Sequence, residues 1–133
     1  MMATDANKIA LGAMVVAYMQ CALWSSTGDD GEPLDGLYET WEISDESTAS
    51  MIEDCENFLD QVDELDIDWR SCWTPEQLGH DLWLTRNGHG AGFWDRYSSA
   101  DSRGDVGDRL TELAKPYGES NLYVGDDGNV HVS

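Results

Sequence analysis

Positions 80–96 read HDLWLTRNGHGAGFWDR, with two histidines, two aspartates, two arginines and two tryptophans among three glycines. A histidine oriented by a carboxylate is a general base, and an arginine beside it stabilises an anion. On that chemistry His80 or His89 is the base, Asp81 or Asp95 orients it, and Arg86 or Arg96 holds negative charge. The ligand-binding set is then His80, Arg86, His89 and Asp95, and a metal would take His80, His89 and Asp95. The spacing argues against both. The chain contains no H-E-x-x-H, no G-x-S-x-G and no phosphate-binding loop, and His80 to His89 crosses an expected helix end. GHGAGF lacks the preceding strand and following helix of a dinucleotide site. No metal, cofactor or catalytic residue is expected, and the stretch reads better as a structural corner. Leu78, Leu82 and Trp83 would form an apolar face, Asn87-Gly88 a helix end, and Phe93 and Trp94 core plugs. Arg86 or Arg96 would pair with an acid in a bidentate contact.

The elements that must position these residues follow from periodicity and punctuation. The apolar run Ile9–Trp24 is sixteen residues long, short of the roughly 20 of a membrane span. Only Lys8 supplies positive charge before it, so no basic leader is expected. Its apolar residues occupy all sides, which predicts a buried central helix. SSTGDDGEPLDG reads as a loop and GLYETWEI as a short strand or turn. A second helix is expected from an N-cap at Ser44 or Asp45 to about Leu65. A third should start at Thr74-Pro75-Glu76-Gln77, with a capping box and proline at the first position, and stop at Asn87-Gly88. A fourth is expected over Val106–Lys115, and NLYVGDDGNVHV as two strands around a turn. The expectation is one domain over residues 1–133, of α+β class: mostly helical, about four helices, with a small C-terminal β-hairpin. Cys21, Cys55 and Cys72 show no paired spacing, and Cys21 and Cys55 fall on apolar helical positions. They read as free thiols in a reducing, intracellular setting.

Charge is the more informative signal. The chain has 27 acids against 7 bases, a net charge of −20 over 133 residues. Such a balance disfavours direct binding to nucleic acid or to an anionic membrane. Residues 29–68 hold sixteen of the acids and no lysine or arginine. At about 100° per residue, Met51, Ile52, Cys55, Phe58, Leu59, Val62 and Leu65 share one sector of the second helix. Glu46, Glu53, Asp54, Glu56, Asp60, Asp63 and Glu64 fill the remainder. Glu46 to Glu64 spans roughly 27 Å at about 1.5 Å per residue, about one carboxylate per 4 Å. A DNA strand carries one phosphate per roughly 3.4 Å. An anionic face made of Glu46, Glu53, Glu56, Asp60, Asp63 and Glu64 is therefore expected to dock a basic surface as a DNA mimic. Two blander readings stand beside it: a solvated face that serves solubility, and salt adaptation, which fits seventeen Asp against ten Glu and only two lysines. Salt adaptation would spread acids over the surface, whereas here they form one block.

HDLWLTRNGHGAGFWDR, followed by GDRLTELAKPYG and LYVGDDG and preceded by CALWSSTGDDGEPLD, resembles a set of small proteins encoded by tailed bacteriophages. Leu82 stands where phenylalanine is expected in that set. The resemblance covers roughly residues 21–35 and 80–128 and leaves the acidic middle unmatched. It implies a phage product acting in the host cytoplasm, and it carries over no catalytic residue. Small acidic phage proteins include DNA-imitating inhibitors of host defence. The expected partner is accordingly a basic host protein that binds nucleic acid or belongs to a defence system.

Overall fold

The computed structural model describes residues 5–27, 31–88, 92–93 and 102–133. Four α-helices carry the described residues: α1 (Asp5–Ser25), α2 (Asp45–Glu64), α3 (Pro75–Arg86) and α4 (Ser102–Ala114). A two-stranded antiparallel hairpin closes the chain, with β1 (Leu122–Val124) pairing β2 (Val130–Val132) and Tyr123 opposite His131. The class is α+β and mostly helical.

The helix starts follow their local chemistry. Ser44 caps α2 by accepting the Ser47 N–H at 3.2 Å. Thr74 and Gln77 make the reciprocal capping box of α3, and Pro75 occupies the first turn. Asn87 ends α3, and Gly88 follows with φ of 72°, the left-handed conformation that glycine adopts without penalty. GLYETWEI takes the turn alternative of the expected strand or turn, forming a single-turn 3-10 helix at Thr40–Glu42, preceded by another at Leu34–Gly36. Only Ile43 bridges to Val130. The fourth helix begins at Ser102, four residues before Val106.

α3, rather than α1, is the enclosed element. Leu78, Leu82, Trp83 and Leu84 are buried on several sides of it. α1 contributes Met14, Tyr18 and Ala22 to the core but leaves Ile9, Val16 and Trp24 exposed along one stripe. By length and composition its Lys8–Ser25 segment would serve to cross a membrane, yet its inner face is the core of this fold. The two helices cross at Gly79, where a Cβ would stand 2.1 Å from the Met14 carbonyl oxygen. Phe93 continues the core, stacked on Phe58 at 5.6 Å and edge-on to Trp73 at 6.0 Å.

The hairpin is pinned to helix ends. The Leu122 N–H donates to Ser26 Oγ, Val132 N–H to Ser47 Oγ, and Ser120 N–H to Asn87 Oδ1. Each bond satisfies a backbone donor that burial would otherwise leave unpaired.

The α1–α3 crossing yields a sign test. A glycine in a helix interior ordinarily costs about 1 kcal/mol relative to alanine. Gly12→Ala, with open space around its Cβ position, should therefore stabilise the protein slightly. Gly79→Ala should destabilise it by about 2 kcal/mol through overpacking. Urea unfolding midpoints of the two variants should move in opposite directions.

Candidate functional site

The acidic helix α2 divides its carboxylates into two populations. At 100° per residue Glu46, Glu53, Glu56, Asp60 and Glu64 lie within a stripe roughly 80° wide, and all five are exposed. Among the described residues no salt bridge reaches any of them. Buried Met51, Cys55, Phe58, Leu59 and Val62 hold the opposite side, so the stripe is presented by packing rather than by chance rotamers. Ile52 and Leu65, expected with the core, are exposed at its margins. Where α2 meets the Lys115–Tyr117 turn, Asp60 and Glu64 line a groove of about 400 Å³ with Asn57, Gln61, Pro116 and Tyr117.

Two acids leave the expected anionic surface. Asp63 lies 3.8 Å from Arg70, both half-exposed, and a pair of that kind contributes little to stability while still neutralising local charge. Asp54 turns inward. Its Oδ2 accepts from Arg86 Nη1 at 2.8 Å and from the Tyr18 hydroxyl at 3.1 Å. The sequence held a signal for this: Met51, Asp54 and Phe58 follow i, i+3, i+7, so Asp54 continues the rim of the apolar stripe.

Arg86 is the centre of that arrangement. Nη1 also donates to the Tyr18 hydroxyl at 2.7 Å, Nη2 to the Tyr117 carbonyl at 2.8 Å, and Nε to the Gly118 carbonyl at 2.8 Å. Its side chain is 9% exposed and that of Asp54 25%. The contact to the carboxylate is through one oxygen, not the bidentate fork expected from sequence. Burial pulls the guanidinium pKa down, but the Tyr18 hydroxyl and the Asp54 carboxylate more than offset this and hold it above its ordinary value. Burial pushes the Tyr18 hydroxyl far above its usual range. Tyr117 rises to about 12, by burial first and then by the Asp54 charge.

The four residues of the alternative ligand set do not form one site among the described residues. Arg86 follows His80 by six residues on α3, about 600° of turn, and faces the network just described. His89 and Asp95, with Trp94 and Arg96, lie outside the described residues. Asp81 is fully buried, accepts the Trp73 indole N–H at 2.8 Å and lies 3.3 Å from His80 Nδ1. That carboxylate braces the chain entering α3. Gly92 is required where it stands, because a Cβ would meet Thr85 Oγ1 at 2.1 Å, and the same oxygen accepts the Phe93 N–H at 3.0 Å. No cluster of three metal-ligating side chains occurs among the described residues. Cys21 and Cys55 are buried and free. Burial raises the Cys21 thiol to about 12, with Asp81 adding to the shift, and Cys55 moves in the same direction for the same first cause. Neither is a nucleophile at neutral pH.

No family model, curated protein or solved structure matches the chain.

Two measurements check the Arg86 network. Arg86→Met leaves the Asp54 carboxylate without its cation and the Tyr117 and Gly118 carbonyls without their donor, and should cost about 3 kcal/mol in urea unfolding. The tyrosines give a pH dependence. The unfolded chain releases the Tyr117 proton near the usual 10.0, the folded chain near 12. The native state thus binds more protons in that window, and stability should be full below pH 10 and fall as pH rises towards 12. Tyr117→Phe should make the fall shallower in denaturant midpoints measured across that range.

Proposed function

We propose that this chain is a non-enzymatic, phage-type acidic protein that docks a basic surface on a host nucleic-acid-binding or defence protein, imitating the charge of DNA. The observation that carries the reading is the stripe of Glu46, Glu53, Glu56, Asp60 and Glu64, exposed and reached by no salt bridge among the described residues. Over about 27 Å these five stand on average about 7 Å apart, about twice the roughly 3.4 Å phosphate spacing of a DNA strand. Like charges at i,i+4, such as Glu56 with Asp60 and Asp60 with Glu64, cost a few tenths of a kcal/mol each in an isolated helix. A surface selected for solubility alone relieves that cost with interspersed lysines, and α2 contains none. A cationic partner would relieve it on binding and release counterions as DNA does. The groove at Asp60, Glu64 and Tyr117 offers such a partner a place to seat one basic side chain.

Exposed acids on other elements, among them Asp105, Asp108 and Glu112 of α4, favour salt adaptation as the second reading. The two differ in what low salt does: adaptation makes the domain unfold, while mimicry tightens partner binding.

The test is a pull-down from host lysate at two salt concentrations, with the wild type beside a variant carrying Glu53→Lys, Glu56→Lys, Asp60→Lys and Glu64→Lys. The expected outcome is a nucleic-acid-binding or defence protein retained by the wild type, lost at high salt and absent with the variant. Circular dichroism should show the variant folded, since none of the four side chains enters the core. Retention of the same partner by the folded variant would remove the proposal.

A further inference from the structure

A second recognition feature lies away from α2. Between α1 and α3 a groove of about 490 Å³ is lined by Gln20, Trp24, Asp35, Glu76, Gln77 and His80. These come from α1, the Leu34–Gly36 turn and α3, and none belongs to the anionic stripe. Trp24 is 55% exposed, an unusual position for so large an apolar ring. The His80 ring is stacked against it, with centroids 6.3 Å apart and planes 29° from parallel. His80 is itself held by its contact with buried Asp81 at 3.3 Å and by the bond from Cys21 Sγ to the His80 carbonyl at 3.6 Å. The indole is therefore supported on one side by a braced ring while much of its surface faces solvent.

The fixed charges of the lining, Asp35 and Glu76, have one sign. Asp35 and Glu76 are both exposed, and among the described residues no salt bridge reaches either. Gln77 uses its side-chain oxygen to accept the Thr74 N–H at 3.0 Å, which fixes the amide in place. An aromatic face with carboxylates around one groove selects a cation, and a flat delocalised cation best of all, because it stacks on the indole and donates to carboxylates from its edge. An anion would meet two like charges. A neutral apolar ligand would desolvate the same carboxylates with no compensating partner. Cys21, which also lines the groove, keeps its thiol protonated at neutral pH because burial raises its pKa.

We propose that the groove between α1 and α3 is a binding site for a guanidinium group, stacked on Trp24 and paired with Glu76 and Asp35. The group reaches it either on a free small molecule or as an arginine side chain on a protein. The site is independent of the α2 stripe, and each can fail without the other.

The experiment titrates the full chain with agmatine, with the peptide acetyl-Gly-Arg-Gly-amide, and with the same peptide carrying neutral citrulline in place of arginine. The readout is the NMR signals of the Trp24 indole N–H and the His80 ring. Saturable shifts with agmatine, with the arginine peptide or with both, and none with citrulline, are expected. A preference for agmatine identifies a free ligand as the source, and a preference for the peptide a protein side chain. Trp24→Ala and Glu76→Gln, both exposed substitutions, should each weaken binding roughly twofold to fivefold, followed for Trp24→Ala on the His80 signals. The four-lysine α2 variant should bind as the wild type does. Absence of shifts with both guanidinium probes, or equal shifts with citrulline, overturns the proposal.

Discussion

The Arg86 guanidinium is the contact on which the arrangement of elements depends. From the last turn of α3 it reaches Tyr18 of α1, Asp54 of α2 and the carbonyls of Tyr117 and Gly118 beyond α4. Four segments distant in sequence are tied by one side chain whose donors lie in a fixed plane. A buried cation is costly unless it is paired and fully hydrogen-bonded, and here the carboxylate, the phenol and two carbonyls meet that condition together. In a chain with net charge −20, the buried pair also removes one acid from the repelling population. Lysine could not replace it, because a single ammonium cannot donate in three directions within one plane.

The same helix that supplies Asp54 to this network presents its other acids to water. Packing divides them. Residues on the rim of the apolar stripe are drawn into the core or paired, and those on the far side remain solvated, with no salt bridge to them among the described residues. Repulsion along α2 is tolerated because Phe58, Val62 and their neighbours bury the opposite face, and because Arg109 of α4 donates to the Leu65 carbonyl at the C-terminal end of α2, where positive charge is favoured. Stability comes from the inner face, which leaves the outer one available for recognition.

The α1–α3 pair shows a related division. Gly79 lets the two backbones approach closely, and the buried Trp83 indole donates to Ser25 Oγ at 2.7 Å, so the contact between them is tight and specific. Trp24, one residue from that anchor, points outward. A closely packed pair of helices thus carries an exposed aromatic ring stacked on His80, which buried Asp81 braces.

Much of the secondary structure was legible in the chain itself. Ser44, the Thr74–Gln77 box and Asn87-Gly88 bounded α2 and α3 because caps and left-handed glycines are local chemistry. The tail hairpin followed from its turn. The 3.6-residue period separated the inner and outer faces of α2, and with them the exposed acids Glu46, Glu53, Glu56, Asp60 and Glu64. What local rules could not decide was which polar groups leave water. Asp54, Asp81 and Arg86 are ordinary surface residue types, and their burial depends on partners 31 to 68 positions away or, for Asp81, on the Trp73 indole from the turn before α3. GLYETWEI likewise turned rather than extending, since only Ile43 finds a strand to bridge. The groove holding Trp24, His80, Asp35 and Glu76 exists only once three separate segments meet. Sequence determined which residues could form helices and where charge would concentrate; tertiary packing decided which charges are structural and which are left free to bind, because desolvation is a property of neighbours in space and not of order along the chain.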